Sequence, residues 1–140
     1  MSRVFWDTNL FIYLIEGSGE RADRVTRLRE RMLVRGDQLY TSTLTLGEVL
    51  VRPIEMQDDT LRETYEQAIV TGATIVPFDR SAAGVYAAIR IDRAIRPPDA
   101  IQLACASQAR VDLFITNDER LSQKIVPGVQ FVTSLERAFL

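Results

Sequence analysis

Five short apolar runs punctuate the chain: Val4-Phe5-Trp6, residues 38 to 41, Thr74-Ile75-Val76, Leu113-Phe114-Ile115-Thr116, and a last one near 129 to 132. They are continuous rather than alternating, which is how strands read when a parallel sheet is covered on both faces. Between them, apolar residues recur at helical spacing. A helix is predicted over residues 9 to 16, stopped by Gly17 and Gly19. Another spans 20 to 35, with Val25, Leu28, Met32 and Leu33 as its apolar stripe and Arg21, Arg24, Arg27, Arg31 and Arg35 on its other faces. Gly36-Asp37 ends it. A third runs from 43 to 51 and closes before Pro53, because the residue preceding a proline disfavours helical geometry. Asp58 and Asp59 cap a fourth, which runs to about Val70 and ends at Gly72, and their acidity suits the positive end of its dipole. Asp79 caps a long fifth helix from 80 to 96, stopped by Pro97-Pro98. A small-residue helix follows from Asp99 through Ala106, and a short one ends at Ser122.

Strands alternating with helices predict a three-layer α/β/α sandwich around a parallel sheet. No repeat, low-complexity tract or linker divides the chain, so residues 1–140 read as a single domain.

The first strand runs directly into Asp7-Thr8-Asn9, and an apolar run, residues 10 to 15, follows at once. A core strand ending at Asp7 places that carboxylate at the sheet's carboxyl edge, where open α/β sheets bind ligands. Asp-Thr-Asn can equally do no more than end a strand and cap a helix. Three further acids stand at comparable positions: Glu48 in the first turns of a helix, Asp99 directly after Pro97-Pro98, and Asp118 after the fourth strand. Each has an ordinary structural reading. Thr45-Leu46-Gly47-Glu48 is a capping-box pattern, and Asp99 and Asp118 are N-cap candidates. In a right-handed parallel sheet, however, strand ends and helix starts share one rim, so Asp7 and Asp118 adjoin if strands one and four are neighbours where the strand order reverses.

Composition narrows the chemistry. The chain has 140 residues, 46% hydrophobic and 26% charged, enough for a real core. It holds no histidine and one cysteine, Cys105. Histidine-dependent triads, histidine-ligated or cysteine-rich zinc sites and intramolecular disulfides are therefore excluded. Net charge is −2, and Lys124 is the one lysine among 17 basic residues, so an overall basic footprint for nucleic acid is missing while a local one stays possible. No apolar run approaches the ~20 residues of a membrane span, and the N-terminus lacks the regions of a signal peptide. The expected location is cytoplasmic.

Two carboxylates about 4 Å apart repel by ~4 kcal/mol at an effective dielectric of 20, so four of them gathered together either take up protons or bind a cation. Oxygen ligands without histidine or cysteine select hard ions, magnesium or manganese.

The chain resembles PIN-domain ribonucleases, and especially the VapC-type toxins of bacterial toxin–antitoxin pairs. The resemblance rests on Val4-Phe5-Trp6-Asp7-Thr8-Asn9, Ser42-Thr43-Leu44-Thr45-Leu46-Gly47-Glu48-Val49, Pro98-Asp99-Ala100-Ile101-Gln102-Leu103-Ala104 and Ile115-Thr116-Asn117-Asp118-Glu119-Arg120-Leu121, in that order over nearly the whole chain. Each piece alone is weak; the ordered set is specific. It implies a five-stranded parallel sheet and a divalent-metal site. Asp7, Glu48, Asp99 and Asp118 match the family's acidic quartet, and Thr116 matches the hydroxyl residue two before the last acid. The implied chemistry is endonucleolytic cleavage of RNA, leaving a 5′-phosphate and a 3′-hydroxyl. Asp7, Asp99 and Asp118 would hold Mg2+ or Mn2+ directly or through water, Glu48 would position or deprotonate the attacking water, Thr116 would orient a water, and Thr8 or Asn9 would support Asp7. The sequence departs from the family at Leu103-Ala104, where a more alanine-rich run is expected, and in its arginine-biased second helix.

Arg80, Arg90, Arg93 and Arg96 are candidates for contacts to the RNA backbone, or simply a solvated helix face. Phe11, Tyr13, Leu14, Ile15, Leu28 and Met32 offer apolar surface that, by the same resemblance, would seat a small antitoxin's tail and support a homodimer; core packing is the competing reading. Two other functions compete. A phosphatase of the haloacid dehalogenase kind also places an aspartate after strand one, but needs a second acid where Asn9 stands and a lysine, for which Lys124 is the one candidate. The other is a non-catalytic PIN-like module that binds RNA or protein.

Overall fold

The computed structural model describes residues 1–138. Its sheet has five strands, β1 (Arg3–Trp6), β2 (Gln38–Ser42), β3 (Thr74–Val76), β4 (Leu113–Thr116) and β5 (Phe131–Ser134), in the order β3-β2-β1-β4-β5. Every neighbouring pair is parallel, with Val4 opposite Leu39 on one side and Leu113 on the other. All strands therefore end on one rim. From β1 the chain builds outward through β2 and β3, then crosses to β4 and β5, so the order reverses between β1 and β4.

The helices are α1 (Thr8–Glu16), α2 (Glu20–Arg35), α3 (Thr43–Glu55), α4 (Asp59–Gly72), α5 (Arg80–Ile89) and α6 (Pro97–Gln108). Because successive strand residues point to opposite faces, Val4 and Trp6 join Leu113 and Ile115 beneath α1, α2, α3 and α4. Phe5 and Phe114 lie on the other face, stacked with ring centroids 5.1 Å apart, and pack with α5 and α6. This is the three-layer sandwich expected from the continuous apolar runs.

Several expectations need correction. The third helix continues through Pro53 to Glu55. An internal proline removes one hydrogen bond, and here the ring is buried two residues from the helix end, where packing offsets the loss. The fifth helix stops at Ile89 instead of reaching Arg96. Local bonds hold the chain in turns there: the Arg90 guanidinium donates to the Ile95 carbonyl at 2.7 Å and Asp92 accepts from the Ala94 N–H at 3.0 Å. Pro97-Pro98 consequently opens α6 rather than closing α5, as proline is suited to the first helical positions, whose N–H groups have no partner inside the helix. Residues 119–123 form turns, not a helix, and β5 lies two residues later than expected. The apolar surplus assigned to the first two helices is mostly core: Phe11, Leu28 and Met32 are buried, Tyr13 and Ile15 pack against the core, and Leu14 alone of the six is exposed. Among the described residues, no helix is long and apolar enough to cross a membrane.

Candidate active site

Asp7 sits at the order reversal. Its backbone N–H donates to the Ile115 carbonyl at 3.0 Å, extending the β1–β4 pairing by one bond and fixing the residue at the rim. Its side chain caps α1, with Oδ1 accepting from the Thr8 N–H at 2.8 Å and from Gln102 Nε2 at 3.3 Å, and Oδ2 accepting from Thr116 Oγ1 at 2.9 Å. Burial pushes the Asp7 carboxyl above its ordinary range; the Thr8 N–H, Thr116 hydroxyl and Gln102 amide pull it back, while the charge of Glu48 adds to the rise.

Thr116 is fully buried and joins two acids. Its hydroxyl donates to Asp7 and accepts the Asp118 N–H at 3.0 Å. The proton of that hydroxyl is thus committed to a carboxylate, so what Thr116 orients in this structure is Asp7. Glu48 stands in the second turn of α3, and its Oε1 accepts from Thr8 Oγ1 at 2.6 Å. The capping box does not form. Ser42 caps α3 by accepting the Thr45 N–H, and Thr45 is buried inside the helix's first turn.

Asp99 is not the N-cap of α6 but its third residue, with Arg96 at the cap position and no side-chain cap bond. It is half-buried across the cleft. Its pKa is raised to about 6, first by burial and then by the charges of Asp7, Asp118 and Glu48, with Arg96 opposing. Asp118 follows β4 in an exposed turn rather than capping a helix. Its Oδ1 accepts from the Arg120 N–H and Nε, its Oδ2 from Arg120 Nη2, and Arg96 Nη2 stands 3.9 Å from Oδ2.

Asp7, Glu48 and Asp99 line one cleft of about 360 Å³ together with Thr8, Asn9 and Gln102. The donors are hard carboxylate oxygens, and Asp99 feels all three other acids, so the donor set suits Mg2+ or Mn2+ in kind. As placed, however, no three acids among the described residues form a group able to hold an ion. Asp118 is turned to its arginine.

The expected arginines divide. Arg96 reaches the acidic rim. Arg90 is committed to the turn after α5, and no contact ties Arg80 or Arg93 to the acids. Lys124 pairs with Asp92 at 2.9 Å, beside α5, which removes the lysine that phosphatase chemistry would need.

The residues that sequence reasoning missed lie beneath the acids. Gln102 is buried, and its amide donates to Asp7, to Thr8 Oγ1 at 3.1 Å and to Thr45 Oγ1 at 2.7 Å, while its carbonyl accepts from Ser42 Oγ. One side chain therefore ties the end of β1, the start of α1 and the start of α3 together. Its signal was an amide inside the apolar run of α6, three residues after Asp99 and so on the same helix face.

Comparison with known proteins agrees with this architecture. A search of curated proteins returned no match. Among solved structures, the chain is similar to VapBC2 from Rickettsia felis bound to a DNA fragment from their promoter, with 14% identity over 94% of this chain and 98% of that one and a TM-score of 0.74. It is also similar to DNA-bound VapBC from Salmonella typhimurium (20% identity, 96% and 99% covered, TM-score 0.68) and to a toxin–antitoxin complex from Klebsiella pneumoniae (24% identity, 90% and 94% covered, TM-score 0.64). At these identities the likeness is one of fold. The family model for the PIN domain matches residues 4–125, the stretch that carries all four acids, and the chain belongs to the PIN domain family.

Proposed function

We propose that this PIN domain is an endoribonuclease dependent on Mg2+ or Mn2+, acting as the toxin of a type II toxin–antitoxin pair. The observation that carries this reading is the state of Asp99, a carboxyl driven to about 6 partly by three acids from distant parts of the chain. A cluster of that kind at a strand-order reversal, its charge only partly offset by Arg96 and Arg120, is suited to a dication. The toxin reading draws on the toxin–antitoxin complexes whose fold the chain shares, and with it comes a small cognate antitoxin; an RNA substrate and a homodimer are what the resemblance to VapC-type toxins implies.

A bound dication would neutralise charge on the scissile phosphodiester and make a water more acidic. The chain's own residues do the rest. Asp7 and Asp99 line the cleft and would hold the ion, with Asp118 as the third acid that could join them. The Thr8 N–H and the Gln102 amide occupy Oδ1 of Asp7 and Thr116 takes one site on Oδ2, which fixes the plane of the carboxylate and leaves Oδ2 one lone pair. Thr8 holds Oε1 of Glu48, so Oε2 is left to accept the proton of the attacking water. Attack at phosphorus then breaks the bond to the 3′ oxygen and leaves a 5′-phosphate. Arg96, beside the rim, is placed to contact the RNA backbone.

The test is cleavage of 5′-labelled RNA with Mn2+, using the parent and Asp7→Asn. The expected result is EDTA-sensitive cleavage that falls by about a hundredfold or more in the variant. Equal cleavage by both chains, or cleavage that survives EDTA, overturns the reading.

A further inference from the structure

Arg120 lies two residues after Asp118, and the turn between them folds its guanidinium back onto the acid. Nε donates to Oδ1 at 3.0 Å and Nη2 to Oδ2 at 2.6 Å, while the Arg120 N–H also donates to Oδ1 at 2.9 Å. Each carboxylate oxygen has about two lone-pair sites. Both on Oδ1 are engaged, and one on Oδ2. Arg96 Nη2 stands 3.9 Å from Oδ2 on what remains. Because Mg2+ binds carboxylate oxygen at about 2.0–2.1 Å, an ion on Oδ2 would press against guanidinium charge. The ion and Arg120 therefore compete for one carboxylate. Asp7 accepts the same number of bonds, but its three donors are neutral and set no cation against an ion.

We infer that Arg120 is an internal counter-ion that occupies Asp118 until a dication displaces it, so that this positioning residue sets the ion concentration at which the site closes. The inference rests on the metal-dependent reading above. It also explains why the acids, though coupled through their charges, do not converge on a single point: one of them already has a cation. The grip is modest, because the Arg120 side chain is 63% exposed and exposed ion pairs are weak.

The experiment is a Mn2+ titration of the full chain at pH 7, following free Mn2+ by electron paramagnetic resonance, on the parent, Arg120→Gln, Arg120→Lys and Arg96→Gln. Releasing an exposed pair should tighten Mn2+ binding by about three- to fivefold in Arg120→Gln. Arg120→Lys keeps the charge but cannot take both oxygens in the same fork, so it should bind about twofold more tightly than the parent. Arg96→Gln should move by less. Independently, the Nε–H nuclear magnetic resonance signal of Arg120, assigned by its loss in Arg120→Lys, should shift as Mg2+ saturates the parent. Unchanged or weaker binding in Arg120→Gln overturns the inference. So does an Arg120→Lys affinity equal to the parent's, which would mean that charge alone acts, or an Nε–H signal that stays put while Mg2+ binds. If no chain binds the ion, the metal-dependent reading itself fails. If all bind equally, the counter-ion role alone fails.

Discussion

The two ends of the acidic rim are built differently. At the Asp7 end, a part-buried carboxylate is held by a backbone N–H, a hydroxyl and an amide, and the amide belongs to a side chain that is itself almost wholly enclosed. At the Asp118 end, a carboxylate that is also part-buried is gripped by one exposed arginine, Arg120, with a second, Arg96, 3.9 Å away. Neutral buried donors fix direction without cancelling charge, so the Asp7 end keeps its demand for a cation. Exposed guanidinium groups cancel charge and can leave. One end is thus set at folding, and the other adjusts to what arrives.

The sharpest way to break this contrast is to remove the amide under Asp7. Gln102→Leu keeps the volume but takes one partner each from Ser42 Oγ, Thr45 Oγ1 and Thr8 Oγ1, leaving the two threonine hydroxyls with each other at 3.2 Å and Ser42 Oγ with the Thr45 N–H. It should cost about 3 kcal/mol in urea unfolding, since a lost buried hydrogen bond costs about 1 kcal/mol or more. It should also weaken Mn2+ binding by about tenfold. A loss below 1 kcal/mol with unchanged ion affinity would mean that the amide is not what holds this end.

The second effect is on the pH dependence of stability. The folded Asp99 titrates near 6 against an ordinary 3.8, so between those values the native state binds more protons than the unfolded chain. Stability without ions should therefore be highest below pH 4 for this group and fall as pH rises toward and through 6. The carboxyl is only half-buried, so after solvent screening the loss should be about 1–2 kcal/mol. Asp99→Asn should abolish that fall, gain stability at pH 7, and be visible as a raised melting temperature there but not at pH 4. An Asp99→Asn chain that is no more stable than the parent at pH 7 would show that the four acids do not strain the fold.

Of similar size, Thr116→Val removes the hydroxyl between the two ends. It should cost about 1–2 kcal/mol, because the Asp7 oxygen and the Asp118 N–H each lose a partner. The weakest change is Arg96→Gln, expected to alter stability by less than about 0.5 kcal/mol because the pair is long and exposed. A larger loss there would place real binding strength at the exposed end and erase the contrast.

Much of this arrangement was legible in the sequence. β1 and β4 were readable because each is a continuous apolar run that stops at short polar residues, and the same stops marked Asp7 and Asp118; β3 was readable from its apolar run alone. A parallel sheet returns strand ends and helix starts to one rim, which is why the four acids were expected together; Asp7, Glu48 and Asp99 line one cleft, while Asp118 is turned to Arg120. Helical periodicity, by contrast, carried the fifth helix seven residues too far: it does not register that Arg90 and Asp92 bond to nearby backbone and curl the chain into turns. A proline pair reads equally as a stop or a start, and only the turn before it decides. Gln102 escaped notice because an amide on an apolar helix has no pattern of its own; its meaning lies in Ser42, Thr45 and Asp7, which are remote in sequence. Arg120 escaped for the opposite reason. Residues two apart do not face each other on a helix, yet in this turn they do.

The central claim is that the acids at the β1–β4 junction are gathered for a dication. A crystal grown with Mn2+ tests it most directly. An anomalous peak within about 2.2 Å of oxygens from both Asp7 and Asp99, with Asp118 drawn from Arg120 toward it, is the outcome expected for hard-ion coordination. Asp7 and Asp99 without a peak between them at saturating Mn2+, and Asp118 still held by Arg120, would contradict the account.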